Sequence, residues 1–435
     1  MNGEAQASVL DEAWTAWVAG RGDDAIRRCV AILEADAGQI GAASLLTEAL
    51  AERRADRAAD VATRLVEDHV RRGDLPRALA AVSAAAKAGA DDAPLRRAIA
   101  KAFGRGSERV ADVSAAPPPL PPRSVEPIED GLSGDALDDR AEEALAAYLA
   151  SERPLEGDVP RLPLFGELPP PALEQLLAAW TVLELEKGGR AIEEGTEGRD
   201  AFVVVRGHLR AERGAGEAAT VLAELGPGAL FGEMALVSEA PRAASVVALE
   251  AVQLLCASRD DLEDLAERTP QIGQSLSSFC RARMLSNLVR HSAILRAVDA
   301  PERAALMDRF ETRSFKRGER LVTHDEETEG LFLLASGAVE VVGRDADGDE
   351  LRVAELGPGD VVGEISLVLR RPATADVLAT HPTVALELRH EQFQEAIREH
   401  PKLLAELYDL ATKREEEMRS VVAQETLDVE EVVLL

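Results

Sequence analysis

The chain contains one 14-residue pattern twice, and this duplication constrains the fold more than any other feature. AELGPGALFGEMAL occupies positions 223–236, and AELGPGDVVGEISL occupies positions 354–367. Around both copies, short runs rich in β-branched and apolar residues end in glycine turns, a pattern typical of antiparallel strands. We therefore expect two β-roll domains, double-sheeted and jelly-roll-like, at 161–290 and 291–425, each flanked by helices.

The part of the chain before the rolls differs in composition and in the spacing of its apolar residues. From about residue 8 to residue 104 it is rich in Ala, Leu, Arg and acidic residues, with apolar residues at helical spacing and short polar breaks. This predicts about six short antiparallel helices in a domain at 1–104, so the fold class is multidomain α+β. These helical hairpins resemble tetratricopeptide repeats, although their turns do not recur at the repeat length of about 34 residues. A partner-binding solenoid and a plain helical bundle therefore both stay open.

Three further segments complete the predicted organisation. Residues 105–134 are rich in Pro, Ser and Gly and are expected to form a flexible linker, because they offer little apolar surface to bury. A short helix and connector are expected at 135–160. The last residues, 426–435, form an acidic tail.

Charge and composition exclude several classes of function. The 435 residues carry a formal net charge of −30, which opposes binding to nucleic acid and to anionic membranes. The N-terminus lacks a signal-peptide pattern and no run of about 18 apolar residues occurs, so we expect a cytoplasmic protein without membrane contact. The three cysteines, Cys29, Cys256 and Cys280, have no disulfide or metal spacing. No catalytic constellation is found, so the chain is predicted not to be an enzyme and to hold no metal or cofactor.

The first copy of the repeated pattern has the chemistry of an anion site. Gly232 allows the backbone to approach a ligand closely, and the helical turn that follows it exposes unpaired N–H groups. Arg242 supplies a planar guanidinium suited to bidentate contact with a phosphate. Glu233 is explained if its carboxylate accepts a hydrogen bond from a ligand hydroxyl.

These residues carry a family resemblance. FGEMALVSEAPRAASV at 231–246 looks like the phosphate-binding cassette of cyclic nucleotide-binding domains, the modules of protein kinase A regulatory subunits and catabolite-activator-type regulators. The resemblance implies that Glu233 holds the ribose 2′-OH and that Arg242 holds the cyclic phosphate. Because Ala243 follows that arginine where cGMP-selective members often have a hydroxyl residue, cAMP is favoured and cGMP is the second possibility. The predicted first site comprises Phe231, Gly232, Glu233, Met234, Ala235, Arg242, Ala243 and Ala244.

The second copy keeps part of this pattern. An ungapped alignment places Ala373 where the arginine belongs, and His324 is taken to replace the glycine found at Gly195 of the first copy. A phosphate without that arginine loses a charged hydrogen bond worth about 1.5–3 kcal/mol, and Glu364 would lack a balancing cation. We expect a degenerate or weak site, with a rewired site that uses Arg371 as the alternative. The residues assigned to this second site are Gly363, Glu364, Ile365, Ser366 and Arg371.

The helix expected at about 270–291 is the predicted relay. In the family that the sequence resembles, the equivalent helix moves over the bound base, so ligand binding would shift a two-state helix equilibrium. Phe279, Met284 and Leu288 could cap the base, or they could be ordinary helix-packing residues. The function predicted is therefore a cyclic-nucleotide receptor that signals to a protein partner through residues 1–104.

Other functions remain to be compared with this one. A ligand-free scaffold would use both rolls and the helical N-terminus for protein contacts. A transcription factor is disfavoured, since the residues after the second roll are too few and too acidic to dock in a DNA groove. A kinase regulatory subunit would need a basic inhibitor segment in its linker, and 122–125 (PRSV) is only a fragment of one.

Overall fold

The computed structural model contains two compact units. The residues that it describes are 8–111, 128, 131–151, 159–214, 219–236, 241–344 and 348–433. The first unit comprises Met1–Glu233 with Arg242–Phe279, and the second comprises Met234–Pro241 with Cys280–Leu435. The N-terminal helices and most of the first roll therefore belong to one unit, and the second roll belongs to the other.

Six helices form the N-terminal part, in agreement with the sequence. They are α1 (Val9–Val18), α2 (Gly22–Ala35), α3 (Ile40–Leu50), α4 (Ala55–Arg71), α5 (Leu75–Lys87) and α6 (Ala93–Phe103). A capping box begins α1, because the Ser8 hydroxyl accepts a hydrogen bond from the Asp11 N–H and the Asp11 carboxylate accepts one from the Ser8 N–H. A single side-chain cap begins α5, where the Asp74 carboxylate accepts a hydrogen bond from the Arg77 N–H at 3.2 Å.

A seventh helix packs against this group. Helix α7 (Asp135–Ala150) contacts α2, α3 and α4, and its Tyr148 hydroxyl donates a buried hydrogen bond of 2.7 Å to Asp68. Two short strands, β1 (Val110–Ala111) and β2 (Val159–Pro160), pair in parallel. Much of the predicted linker and connector, residues 112–127, 129, 130 and 152–158, lies outside the described residues.

The first roll consists of two four-stranded antiparallel sheets, preceded by helix α8 (Pro170–Ala178). Its strands are β3 (Thr181–Leu185), β4 (Arg190–Ile192), β5 (Asp200–Arg206), β6 (Leu209–Arg213), β7 (Thr220–Leu225), β8 (Leu230–Phe231), β9 (Ser245–Ala248) and β10 (Val252–Ser258). The sheet orders are β3-β10-β5-β8 and β4-β9-β6-β7. Helices α9 (Arg259–Arg268) and α10 (Pro270–His291) follow.

The second roll repeats this topology after helices α11 (Ala293–Arg296) and α12 (Ala300–Met307). Its strands and inserted helix are β11 (Glu311–Phe315), β12 (Arg320–Val322), β13 (Gly330–Ser336), β14 (Val339–Arg344), β15 (Glu350–Leu356), β16 (Val361–Val362), α13 (Glu364–Leu369), β17 (Asp376–Ala379) and β18 (Thr383–Arg389). The sheet orders, β11-β18-β13-β16 and β12-β17-β14-β15, match those of the first roll strand for strand. The predicted fold class, helices followed by two rolls flanked by helices, is confirmed.

A pair of phenylalanines lies in each roll core, and only Phe202 and Phe332 hold equivalent strand positions, because the counterpart of Phe231 is Val362. Phe202 stacks on Phe231 with ring centroids 5.2 Å apart, and Phe332 meets Phe315 edge-on at 5.9 Å. Successive residues of β13 face opposite sides of its sheet, so Phe332 and Leu334 join the core cluster of the roll while Leu331 and Leu333 join a second cluster on the other face. Phe231, assigned above to the first ligand site, is thus a core residue of its roll.

Two helices end the chain. They are α14 (His390–Glu399) and α15 (Pro401–Val433), the latter 33 residues long. Most of the segment predicted as an acidic tail, 426–435, is therefore helical as far as Val433. Within the described parts of the chain, no helix combines the length and apolar character needed to cross a membrane.

Candidate ligand-binding sites

The first site is built around a glycine with a left-handed backbone. Gly232 follows β8 with φ of +75°, and a single 3-10 turn, Glu233–Leu236, comes next. A Cβ at position 232 would lie 2.9 Å from the Asp200 carbonyl oxygen and 3.2 Å from Nη1 of Arg242. The position therefore requires glycine for its conformation as well as for space.

Arg242 points its guanidinium at this turn. Its Nη1 donates to the Gly232 carbonyl at 3.0 Å, and its Nη2 donates to the Asp200 carbonyl at 2.7 Å. Burial lowers the pKa of this half-buried arginine, and the charges of Asp200 and Glu233 oppose that shift. Both acceptors are neutral carbonyls, so the guanidinium can exchange them for the oxygens of an anion.

Gly198 makes room for this arginine. A Cβ at position 198 would lie 2.3 Å from Nε and 2.9 Å from Cζ of Arg242. No side chain larger than hydrogen fits there without moving the guanidinium. The sequence reasoning did not select Gly198, although the repeat held a signal: where the second copy lacks the arginine, Thr328 stands in place of the glycine.

The other predicted first-site residues differ in their surroundings. Glu233 is buried, with 4% of its surface exposed, and Ala235 is buried as well, whereas Ala243 is exposed and Ala244 is partly buried. Met234 belongs to the second unit and packs against its apolar core.

The proposed base-capping residues can also be placed. Met284 and Leu288 are buried in the core of the second unit, and Phe279 is partly buried. Met284 and Leu288 therefore pack as ordinary core residues in this structure.

Backbone hydrogen bonds show how the two copies correspond. In the first copy the Gly195 N–H donates to the Arg242 carbonyl at 2.9 Å, and in the second the Asp325 N–H donates to the Ala373 carbonyl at 2.9 Å. Ala373 thus occupies the position of Arg242. The placement of His324 opposite Gly195 is wrong by one residue, because Asp325 makes the equivalent bond and shares its left-handed backbone, with φ of +62°.

Glu364 of the second site is paired with a cation that the sequence reasoning missed. Nη1 of Arg414, on α15, donates to Oε1 of Glu364 at 2.9 Å and to the Val361 carbonyl at 2.5 Å. Burial raises the pKa of Glu364, and Arg414 opposes this by stabilising the carboxylate. The expectation that Glu364 has no balancing cation is therefore wrong. Its partner lies 50 residues later, where no local pattern points to it.

Arg371 is engaged elsewhere. Its Nη2 lies 2.7 Å from Oε1 of Glu415 on α15, and its carbonyl accepts a hydrogen bond of 2.7 Å from the Ser366 hydroxyl. The cation beside Glu364 is thus Arg414, while Arg371 ties the turn to the last helix.

A cavity of about 150 Å³ adjoins the second site. Four of the predicted residues line it, Gly363, Glu364, Ile365 and Ser366, together with Arg414 and Met418 of α15 and a largely apolar wall from the strands. This volume is well above the roughly 10–15 Å³ that one water molecule needs. The second roll therefore holds a chamber of ligand size with one ion pair in its wall.

Two rolls of one topology, each with a left-handed glycine followed by a buried glutamate, and a half-buried arginine in the first roll, fit the class of cyclic nucleotide-binding domains. The cyclic nucleotide-binding domain family matches residues 182–269 and 312–400. The chain therefore contains two tandem domains of this family, as the sequence predicted.

One known protein is similar to about half of the chain. The cAMP-dependent protein kinase type II regulatory subunit of Drosophila melanogaster is 28% identical over 232 residues, 51% of this chain and 56% of the relative. The chain thus spans little more than half the length of that relative.

Two proteins of known structure are also similar in sequence to part of the chain. The regulatory domain of Toxoplasma gondii PKA with cAMP is 25% identical and covers 58% of this chain and 92% of its own, with a TM-score of 0.28. The catabolite activator protein of Thermus thermophilus is 31% identical and covers 34% of this chain and 70% of its own, with a TM-score of 0.26. The tetratricopeptide resemblance of the N-terminal helices stays a prediction.

Proposed function

We propose that the chain is a non-catalytic, cytoplasmic receptor for cAMP that binds this ligand in its first roll. The observation that carries the proposal is Arg242, whose guanidinium is held beside the Gly232 turn by two neutral carbonyl acceptors. A charged, half-buried donor fork in this place is suited to a phosphate.

Each polar residue of the first site has a part in this binding. Arg242 releases the carbonyls of Gly232 and Asp200 and donates to the cyclic phosphate instead. Glu233, buried next to the turn, accepts the ribose hydroxyl. Ala243 offers no hydroxyl to a guanine base, which supports cAMP over cGMP.

Isothermal titration of the full chain with cAMP and with cGMP tests the proposal. We expect one equivalent of cAMP to bind at the first site and Arg242→Ala to weaken it roughly 10- to 150-fold, since a charged hydrogen bond contributes about 1.5–3 kcal/mol. Arg371→Ala is the matched control, because it removes an arginine beside the corresponding proline of the second copy. Absence of cAMP binding at high micromolar concentration, or equal binding by Arg242→Ala, would show that the first roll is not the receptor site.

The N-terminal helices are the proposed output of this receptor. Arg206 of β5 forms an ion pair with Asp11 of α1 and lies over the Trp14 ring, 5.1 Å from its centroid. Gln253 of β10 donates to Glu48 of α3 at 2.9 Å. These direct contacts support a route from the first roll to a tetratricopeptide-like helical surface that binds a protein partner.

No specific observation favours the other functions. The scaffold hypothesis leaves the charged fork at Arg242 without a role. A kinase regulatory subunit would need a basic inhibitor segment, and the fragment of one at 122–125, PRSV, lies outside the described residues.

A further inference from the structure

The cavity of the second roll differs from the first site in a coordinated way. Ala373 stands in place of Arg242, and Thr328 stands in place of Gly198. In the first roll the glycine is needed because a Cβ would collide with the arginine. In the second roll both positions differ from the first. The space that corresponds to the Arg242 guanidinium is occupied partly by Thr328 and partly by the cavity, which Thr328 and Ala373 both line.

Charge around this cavity is already balanced. Glu364 is paired with Arg414 at 2.9 Å, and Asp360 lies 3.6 Å from the other terminal nitrogen of the same arginine. Glu417 also lines the chamber. Among the described residues that line it, Arg414 is the single cation, and two carboxylates share its charge. A phosphate would enter next to carboxylates with no uncommitted positive partner, which is unfavourable in a partly buried site.

Thr328 presents a polar group without a partner. The residue is buried, with 9% of its surface exposed, and its hydroxyl oxygen has no hydrogen-bond partner among the residues that the structure describes. A buried hydroxyl left unpaired is destabilising, so such groups normally have a partner. Because Thr328 lines the cavity, a molecule inside the cavity can supply that partner.

The apolar lining of the cavity determines which kind of ligand skeleton fits. Val322, Val341, Leu356, Val362 and Val377 line the chamber from the strands, and Met418 lines it from α15. Apolar walls of this kind accept a flat ring, while a carboxylate accepts hydrogen bonds from hydroxyl groups.

We propose that the cavity of the second roll binds an uncharged ring compound with hydroxyl groups, of the class represented by ribonucleosides without phosphate. Glu364 accepts from the ligand hydroxyls, Thr328 pairs with a polar atom of the ligand, and the valine wall contacts the ring. Ala373 removes the cation that would make a phosphate favourable. This inference extends the proposed function to a second, chemically distinct ligand and does not depend on cAMP binding in the first roll.

Isothermal titration of the full-length Arg242→Ala protein tests it, since this variant weakens cAMP binding at the first site. The probes are adenosine, guanosine, cytidine, uridine and cAMP. We expect at least one nucleoside to bind with one equivalent and at least tenfold more tightly than cAMP. Failure of all four nucleosides to bind at millimolar concentration overturns the proposal, and so does cAMP binding as tight as the best nucleoside.

Thr328→Val assigns the binding to this cavity. Loss of one neutral hydrogen bond is expected to weaken the nucleoside about 2- to 12-fold. Thermal stability of the free protein should be unchanged or higher, because the removed hydroxyl has no partner. Thr323→Val, in the same loop but away from the cavity lining, is the matched control and should bind normally. Equal nucleoside binding by Thr328→Val and the control contradicts the assigned role.

The converse exchange provides a gain of function. Thr328→Gly with Ala373→Arg recreates the pair found in the first roll and should increase cAMP affinity at the second site at least tenfold while reducing the preference for nucleosides. Ala373→Arg alone should gain less, because Thr328 occupies the space that the guanidinium needs. A double variant with the same ligand preference as the parent would refute the claim that this pair decides ligand charge. The wild-type titration with cAMP separately reports on the first site, so failure of one proposal is distinguishable from failure of the other.

Discussion

At the scale of single residues, the first site depends on a glycine that makes room for its arginine. Gly198 leaves the space that Arg242 occupies, and a Cβ there would lie 2.3 Å from Nε. Its backbone does not have a positive φ, so alanine is compatible with the local conformation. A substitution at position 198 therefore disturbs the position of the Arg242 side chain rather than the conformation of the loop.

Gly198→Ala is expected to displace the guanidinium and weaken cAMP binding at least about fivefold, toward the roughly 10- to 150-fold loss of Arg242→Ala. Titration calorimetry measures the effect. Gly357→Ala is the control, since a Cβ there meets nothing within 4 Å and its φ is not positive. Unchanged cAMP affinity in Gly198→Ala would mean that Arg242 can hold a ligand from another rotamer.

At the scale of elements, helix α15 completes the second roll through Arg414. Glu364 is almost fully buried, with 3% of its surface exposed, so its carboxylate depends on this one helix for a counter-charge. Breaking a buried pair by removing one partner is far more destabilising than replacing both partners.

Arg414→Ala should therefore destabilise the second unit by about 3–5 kcal/mol at neutral pH, and adding Glu364→Gln should recover most of that loss. Burial already raises the pKa of Glu364, and loss of Arg414 raises it further. The destabilisation should shrink as the pH falls toward 4, because the protonated carboxyl needs no cation.

Hydrogen exchange in β13 and α15 measures this effect. Arg419→Ala, which removes an exposed arginine paired with Glu415 on the same helix, is the control. A loss of stability that does not change with pH would contradict the role given to Glu364.

A contact between the N-terminal helices and the first roll makes the stability of the first unit depend on pH. Glu184 of β3 and Glu48 of α3 both accept hydrogen bonds from the buried Gln253 amide, at 3.2 Å and 2.9 Å, and Lys87 pairs with Glu48 at 2.8 Å. Burial, followed by the charge of Glu48, raises the pKa of Glu184 from 4.5 to about 7. Between about pH 4.5 and pH 7, the folded protein therefore keeps a proton on Glu184 that the unfolded chain releases.

The first unit should accordingly lose stability as the pH rises from about 4.5 through 7, and Glu184→Gln should flatten this slope and be the more stable protein at pH 8. Urea unfolding followed by tryptophan fluorescence measures it selectively, since Trp14, Trp17 and Trp180 all lie in the first unit. Glu186→Gln, at an exposed position just after β3, should keep the wild-type slope. A wild-type slope in Glu184→Gln would show that another group titrates.

At the scale of the whole molecule, the first roll and the N-terminal helices form one compact unit, joined by Arg206 with Asp11 and Trp14 and by Gln253 with Glu48. Ligand binding that changes the strands β5 and β10 can therefore reach α1 and α3 without passing through the Pro-rich segment. This is a physical link between named side chains that a ligand can bias.

Saturating cAMP should change amide hydrogen exchange at 231–236, in α10, and also in α1 and α3, and the Arg242→Ala protein should show none of these changes. Mass spectrometry of the full chain measures all four regions at once. Changes limited to the first roll, with α1 and α3 unaffected at every exchange time, would refute the proposed route to the N-terminal helices.

The sequence by itself determined the features that are local in the chain. Repeated turns, strand periodicity and helical spacing are set by residues close together, so the two rolls, the six helices and the contrast between Arg242 and Ala373 were predictable. The exact residue correspondence between the two copies was less predictable. The sequence comparison matched His324 to Gly195, whereas the backbone hydrogen bonds show that Asp325 is the equivalent residue.

Only the tertiary structure decided the contacts between distant residues. Arg414 reaches Glu364 across 50 positions, and Asp11 meets Arg206 across 195. Nothing in either local sequence marks these partners, because a charged side chain on a helix is equally compatible with solvent and with a buried counter-ion. The sequence therefore identified the residues that differ between the two sites, and folding determined which charges remain available there to a ligand.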